Sequence, residues 1–366
     1  MKRRKSREIT LGTVKIGGRA PVSVQSMTKT RTSDIAATVS QVHALEKAGC
    51  DIVRVAVPDL TSARAIRKIR QEIQIPLVAD IHFHHHLALK AIDSGVDGIR
   101  INPGNINSRE KVREIVTAAK EHSIPIRIGV NAGSLDKGLL RKYGASTPQA
   151  LVESSMNWIR FFEDMEFCEI KVSLKSSDCL STIQAYQMAA RAYDYPLHLG
   201  ITEAGTPFTG TIKSCIGLGI LLFQGIGDTL RVSLTGSPVD EVRVGREILK
   251  TLDLREKGIE IISCPTCGRC EIDLFSIVRK VEERFSALTY PSLKIAIMGC
   301  VVNGPGEAKD ADIGIAGGKG TGLIFKRGKV VKKVREKDLV KALFSEIESM
   351  MEENAGFKGP KSRGVQ

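Results

Sequence analysis

Asp51-Ile52-Val53-Arg54-Val55-Ala56-Val57, followed after a short polar turn by the amphipathic stretch Thr61–Glu72, decides the fold. A brief β-branched run, a polar loop and a helical period make one β-then-α unit. The same unit recurs along the first 255 residues. Its strand runs are Pro21–Met27, Asp51–Val57, Pro76–His82, Gly98–Asn102, Pro125–Asn131, Glu169–Lys175, Pro196–Thr202 and Asp228–Thr235. Helical stretches lie between and after them: Asp34–Lys47, Thr61–Glu72, His85–Asp93, Arg109–Glu121, Pro148–Met165, Ser181–Tyr193, Ile212–Gln224 and Asp240–Leu252. Alternation of this kind implies right-handed crossovers and a parallel sheet. Eight units in about 250 residues match a closed (β/α)8 barrel better than an open sheet. No G-x-G-x-x-G follows the first strand, which weakens a dinucleotide-binding reading.

Strands of a parallel barrel are covered on both faces and should read as Val/Ile/Leu runs. These carry cations instead: Arg54, Arg100, Arg127, Lys171, Lys175, His198 and Arg231. An unpaired buried cation costs several kcal/mol, and the strand acids placed to help, Asp80 and Glu203, are outnumbered. A bound polyanion resolves the imbalance, and arginine forks suit phosphate oxygens. Any single cation can equally well pair with a loop carboxylate. His82, at the end of its strand, is a pocket candidate, whereas His84, His85 and His86 suit a solvated helix start. Glu203 and Asn131 belong at the barrel mouth, where a carboxylate among cations is apt for proton transfer.

Residues from Ile259 to Glu353 read differently. Strands at Glu260–Ile262, Lys294–Met298, Ile313–Ile315 and Leu323–Phe325 and helices at Asp273–Ala287 and Lys337–Met351 suffice for a separate α+β domain over 259–353. Residues 354–366 form a Gly/Lys-rich tail expected to be disordered. The domain holds Cys264-Pro265-Thr266-Cys267-Gly268-Arg269-Cys270 and, on a later Gly/Pro-rich loop, Cys300. A C-x2-C pair with a distant third thiol is a metal-centre pattern, for an iron–sulfur cluster or zinc. Cys50, Cys168, Cys179 and Cys215 lie in hydrophobic stretches and read as core residues.

Composition sets the class: 42% hydrophobic and 26% charged residues suit a globular protein of about two domains. No apolar run reaches the roughly 18 residues that span a bilayer. The basic N-terminus lacks the apolar stretch of a secretory signal, so a cytoplasmic protein is expected. The net charge of +13 lies partly in an N-terminal tail and partly in Lys326–Lys337. With 5% aromatics and no nucleic-acid motif, it suits an anionic substrate or acidic partner better than RNA.

Several long strings resemble the 4-hydroxy-3-methylbut-2-enyl diphosphate synthase (GcpE) family in its bacterial two-domain form. They are Val24-Gln25-Ser26-Met27-Thr28, Val78-Ala79-Asp80-Ile81-His82-Phe83, Arg100-Ile101-Asn102-Pro103-Gly104-Asn105, Arg127–Leu135 and Gly200-Ile201-Thr202-Glu203-Ala204-Gly205. Cys264-Pro265-Thr266-Cys267 and Gly299-Cys300-Val301-Val302-Asn303-Gly304-Pro305-Gly306-Glu307 complete the set. The resemblance implies a (β/α)8 TIM-type barrel followed by a smaller α+β iron–sulfur domain similar to those of sulfite and nitrite reductases. It implies a 4Fe–4S cofactor and two-electron reductive opening of 2-C-methyl-D-erythritol 2,4-cyclodiphosphate, in the non-mevalonate isoprenoid pathway. Flavodoxin or ferredoxin is the implied donor, and the assembly a head-to-tail homodimer in which one chain's cluster domain caps the other's barrel. The family pattern makes Cys264, Cys267, Cys300 and Glu307 the cluster ligands. Spacing alone also admits Cys270 as the fourth, in C-x2-C-x2-C. The alternative enzyme reading is a zinc-stabilised, phosphate-binding barrel lyase or isomerase.

Overall fold

The computed structural model describes the chain except residues 1, 107, 256–257, 287, 290–291, 301–305, 307, 354–360 and 363–366. It divides into two compact units, Met1–Arg255 and Glu256–Gln366.

The first unit opens with a hairpin, β1 (Ile9–Leu11) and β2 (Val14–Ile16). Eight parallel strands follow: β3 (Ser23–Met27), β4 (Ile52–Ala56), β5 (Leu77–Ile81), β6 (Gly98–Ile101), β7 (Ile126–Asn131), β8 (Ile170–Lys175), β9 (His198–Leu199) and β10 (Thr229–Leu230). They pair in the order β8-β7-β6-β5-β4-β3-β10-β9. A parallel bridge from Val172 to Leu197 joins the two ends of that order. The result is the eight-stranded parallel barrel.

The intervening helices are α1 (Ile35–Lys47), α2 (Leu60–Glu72), α3 (His85–Asp93), α4 (Arg109–Glu121), α5 (Lys137–Tyr143), α6 (Pro148–Glu163), α7 (Cys179–Ala192), α8 (Pro207–Phe223) and α9 (Pro238–Thr251). Polar residues closing the loops start them. Asp59 accepts from Ser62 N at 2.7 Å and Asp178 from Ser181 N at 2.7 Å, each such cap worth about 1 kcal/mol.

Side chains alternate along each strand. Val53 and Val55 join the core between strands and helices, whereas Ile52 and Val78 join a separate cluster with Ile9, Leu11 and Ile16 of the hairpin. The hairpin therefore seals the N-terminal end of the barrel with an apolar layer. Arg54 and Asp80 stand two residues further along the same strands, above that layer.

Several sequence expectations change. The N-terminal basic residues are not a free tail: Arg3 Nη2 lies 3.1 Å from buried Asp228, Arg4 bonds the carbonyls of Tyr193 and Tyr195, and Ser6 also reaches Asp228. The seventh and eighth strands keep only two ladder residues each, because their continuations turn into mouth loops. Helix α8 begins at Pro207 rather than Ile212, and α5 has no counterpart in the sequence reading. Of the cysteines read as core, only Cys50 is buried. Cys168 and Cys215 are exposed and Cys179 is half-buried, since they sit in a loop, on α8 and at the start of α7.

The second unit is a mixed sheet of β11 (Ile259–Ser263), β13 (Leu293–Met298), β14 (Ile313–Gly318), β15 (Thr321–Lys326) and β16 (Lys329–Arg335), in that order. The first three strands are parallel and the last two antiparallel. Ile295, Ile297, Ile313, Ile315 and Ile324 pack with α10 (Leu274–Ser286) and α11 (Leu339–Glu353), while Ala296, Met298, Ala316 and Phe325 form a second cluster. Strand β16, read only as a cationic run, is the solvated sheet edge, where lysines discourage further pairing. From the C-terminal segment expected to be disordered, Lys361–Ser362 is described, as β17 paired with β12 (Leu288–Thr289). Residues 354–360 and 363–366 lie outside the described residues.

Candidate active site and cysteine loops

Register places the cations in a belt. Asp80 pairs with Arg100, Arg100 with Arg127 and Arg127 with Lys171 across three adjacent ladders, and Asn131 pairs with Lys175 four residues further along the same strands. His198 aligns with Thr229. Arg54, Arg100, Arg127, Lys171, Lys175 and His198 are all buried, at 7% exposure or less.

Two carboxylates serve this belt. Asp80 accepts from Arg100 Nη1 at 3.0 Å and lies 3.6 Å from Arg54 Nε and 3.4 Å from His82 Nε2. Burial opposes its charge, but Arg54, Arg100 and His82 together hold its carboxyl well below the usual range. The second carboxylate, Glu241 at the start of α9, was missed by the sequence reading. It is 1% exposed, accepts from Leu234 N at 3.0 Å and stands 3.7 Å from Arg231 Nη2 and 3.1 Å from Lys29 Nζ. Asp240-Glu241 opens the helix after the eighth strand, where acids stabilise the N-terminus, but only Glu241 turns inward while Asp240 is exposed.

Arg127 Nη1 reaches Gln25 Oε1 at 3.3 Å, but other donor atoms of the belt have nothing to bond. Among the described residues, Nε of Arg54, Arg100, Arg127 and Arg231, Nζ of Lys171 and Nε2 of His198 are buried without a partner. Burial, then the neighbouring Arg127 and Arg54, pushes the Lys171 and Lys175 ammonium groups well below their usual pKa. His198 is lowered in the same way, and its Nδ1 is held by Thr229 Oγ1 at 2.6 Å. Buried orphan donors of one charge sign make an anion site.

Two glycines make room for it. A Cβ at Gly129 would meet Arg100 Nε at 2.5 Å, and one at Gly200 would meet Lys175 Nζ at 2.7 Å and the Arg231 carbonyl at 2.8 Å. The hydroxyl of Tyr186 on α7 bonds both Leu174 N and the His198 carbonyl, tying β8 to β9.

At the mouth the residues are more open. His82 is half-exposed and hydrogen-bonded to Arg100 at 3.1 Å. Asn131 is half-buried at the end of β7, and its carbonyl accepts from Ser134 Oγ at 3.3 Å. Glu203 is exposed and does not neutralise the belt as the strand-acid reading expected. It sits at φ +50°, a strained left-handed backbone for a non-glycine residue, just past β9.

In the second unit Cys264 leaves the end of β11 and Cys300 follows β13, its parallel neighbour. Cys264 N bonds the Ile297 carbonyl at 3.0 Å. Arg269 feels the thiols of Cys267, Cys300 and Cys264 together, and its hydrogen bonds draw the Cys267 thiol pKa down. The Cys270 thiol donates to the Ile272 carbonyl at 3.3 Å and lies where a Cβ on Gly299 would meet it at 2.7 Å. Glu307 lies outside the described residues, among which no three His, Cys, Asp or Glu donors already stand at metal-binding separation.

Known proteins agree with this layout. A family model described as the GcpE TIM-barrel domain matches residues 6–246, and one described as the GcpE protein C-terminal domain matches 260–349. A Geobacter sulfurreducens protein is 57% identical over 349 residues, covering 95% of this chain and 99% of its own. One from Clostridium perfringens is 58% identical over 350 residues, covering 96% and 100%. Both are named 4-hydroxy-3-methylbut-2-en-1-yl diphosphate synthase (flavodoxin). Among solved structures, Yersinia pestis dihydropteroate synthase in a sulfonamide drug complex superposes with TM-score 0.51 at 10% identity, over 68% of this chain and 98% of that one. The Coxiella burnetii dihydropteroate synthase gives 0.50 at 11%, over 68% and 98%. Those likenesses establish the barrel alone. Matched in both of its units and over nearly its whole length, the chain belongs to the GcpE family, the 4-hydroxy-3-methylbut-2-en-1-yl diphosphate synthases.

Proposed function

We propose that this chain reductively opens 2-C-methyl-D-erythritol 2,4-cyclodiphosphate to 4-hydroxy-3-methylbut-2-enyl diphosphate in isoprenoid synthesis. Two electrons and two protons enter, the ring C–O bond breaks, and a hydroxyl leaves as water. The observation carrying this reading is the belt of buried cations that outnumber their carboxylates and keep buried donor atoms with no hydrogen-bond partner among the described residues. A zinc-stabilised lyase or isomerase is not favoured, given full-length relatives named for the synthase.

The diphosphate is bound by Arg54, Arg100, Arg127, Lys175 and Arg231, with Lys171 and His198 contributing from below and beside them. Asp80 keeps Arg54 and Arg100 aimed inward, and His82 completes that network at the rim. Glu203 and Asn131 face the hydroxyl-bearing carbons. Glu203 gives a proton to the departing hydroxyl, which avoids expelling hydroxide. The sealed N-terminal end keeps water out of the phosphate layer.

The cysteine loops suit a 4Fe–4S cluster in donor chemistry, since Cys264 and Cys300 leave adjacent parallel strands at the same end and soft thiolates are the donors such clusters take. Cys264, Cys267 and Cys300 would hold it with Glu307 as the fourth ligand, leaving Cys270 as a bystander. When bound, the cluster supplies the two electrons. Flavodoxin is the donor the relatives' names indicate. Eight free thiols fit a reducing compartment such as the cytoplasm.

A homodimer fits α8, where Phe208, Ile212, Ile216, Ile220 and Phe223 form an exposed apolar stripe at helical spacing. In a head-to-tail pair, mixing an Arg127→Ala chain with a Cys300→Ser chain restores activity that neither has alone. The function itself is tested by anaerobic turnover of the cyclic diphosphate with dithionite or reduced flavodoxin. A brown protein yielding the linear diphosphate is expected. A colourless zinc protein without turnover would defeat the reading.

A further inference from the structure

The second unit has a basic cleft that neither the substrate nor the cysteines account for. It lies between α10 and the start of α11, lined by Lys280 and Arg284 on one side and Arg335, Lys337 and Lys341 on the other. Ile277 and Val340 form its apolar floor. The acids at its edge are engaged: Asp273 Oδ1 accepts from Ser276 N at 3.1 Å and Glu336 Oε1 from Asp273 N at 2.9 Å. Arg335 is paired with Asp338 at 3.2 Å and Arg284 with Glu348 at 3.4 Å. Lys280, Lys337 and Lys341 are exposed and have no ion-pair partner among the described residues.

Topology puts this cleft at the cysteine end of the sheet. Strands β11, β13, β14 and β16 run in one direction, so Cys264, Cys300, Gly318 and Arg335 all emerge at the same edge. Three strand spacings, about 14 Å, separate the strand before Cys300 from the one ending at Arg335. Ile272, two residues after Cys270, packs against Gly317, linking the cysteine turn to the strand beside the cleft.

We propose that this cleft is the docking site of the acidic, flavin-bearing protein that delivers electrons, an inference that rests on the function proposed above. Unpaired lysines around an apolar floor match a protein surface of carboxylates around an apolar redox centre. A nucleic acid is a poorer occupant, because among the described residues no aromatic side chain lines the cleft for stacking.

The test compares two reductants with the cluster-loaded enzyme. Lys280→Glu with Lys341→Glu should raise the KM for reduced flavodoxin about tenfold at low salt and flatten its salt dependence. Turnover driven by dithionite, which needs no docking, should be unchanged. Lys280→Gln with Lys341→Gln should shift the flavodoxin KM less, in the same direction, which separates charge from misfolding. An unchanged flavodoxin KM and salt slope would overturn the docking site. So would competition by a single-stranded RNA at equal charge concentration that the reversals abolish while flavodoxin kinetics stay normal. Wild-type enzyme that fails with dithionite and flavodoxin alike would instead overturn the function.

Discussion

The backbone of Gly129 lies so close to the guanidinium of Arg100 that a methyl group there would meet Nε at 2.5 Å. A residue without a side chain in β7 thus sets the position of a cation in β6. Gly129→Ala should displace Arg100 from its 3.0 Å bond to Asp80 and weaken substrate binding while the barrel still folds. The expected loss is that of one charge-assisted contact, about 1.5–3 kcal/mol. Calorimetric titration of the alanine variant checks it, and wild-type affinity in a folded variant would refute it. Gly200→Ala should harm folding as well, because it also meets the immovable Arg231 carbonyl.

Removing a belt cation should divide affinity from stability. Lys171→Met removes a buried ammonium without a partner, so the substrate-free protein should melt higher. Substrate should then raise its Tm less than it raises that of the wild type, since ligand stabilisation follows affinity. Arg100→Ala and Arg127→Ala should lose about 1.5–3 kcal/mol of binding each. Folded variants that keep full affinity would remove the diphosphate site.

Substrate binding should take up protons. Burial and neighbouring cations hold Lys171, Lys175 and His198 below their usual pKa, and a polyanion cancels the second cause. Affinity should therefore fall as pH rises above neutrality, and titration calorimetry in buffers of different ionisation enthalpy reads the proton count. The free protein follows the opposite partner, its unfolded state. His198 is protonated on unfolding below about pH 6.5 but not in the barrel, so stability falls with acidification from there. Asp80 adds a second loss below about pH 3.9, where the unfolded carboxyl takes up a proton that the folded one refuses.

Cys270→Ser should keep the cluster spectrum and most activity, because its thiol is spent on the Ile272 carbonyl. Serine at Cys264, Cys267 or Cys300 should abolish cluster assembly. Glu307→Ala should lose iron readily or turn over poorly. The reverse pattern, seen by absorption and iron content, would mean coordination by four thiolates.

Asp228 anchors the N-terminal strap, 3% exposed and bonded to Arg3, Ser6 and Leu197 N. Asp228→Ala should cost about 3 kcal/mol, since Arg3 and Arg4 lose their only carboxylate among the described residues and the Leu197 amide loses its acceptor. Denaturant unfolding of the substrate-free protein measures it. A shift within experimental error would show the strap to be ornamental to stability.

The period of the pattern was legible in the sequence because strand and helix burial impose periods of 2 and 3.6 on neighbouring residues. That local constraint gave the eight β/α units, the cationic strands and the cysteine loops. Which cations face one another is a matter of register between chain segments 20 to 45 residues apart, as in the Arg100, Arg127 and Lys171 row, and no local period encodes it. Glu241 escaped notice for the same reason: it reaches the belt from a helix, across the sheet. The tertiary structure alone decided that the basic N-terminus is a strap bonded onto the barrel, that Glu203 is exposed at the mouth, and that Gly129 and Gly200 are spaces for guanidinium and ammonium groups. Each of those facts depends on what another strand brings to within a few ångströms, which only closure of the barrel fixes.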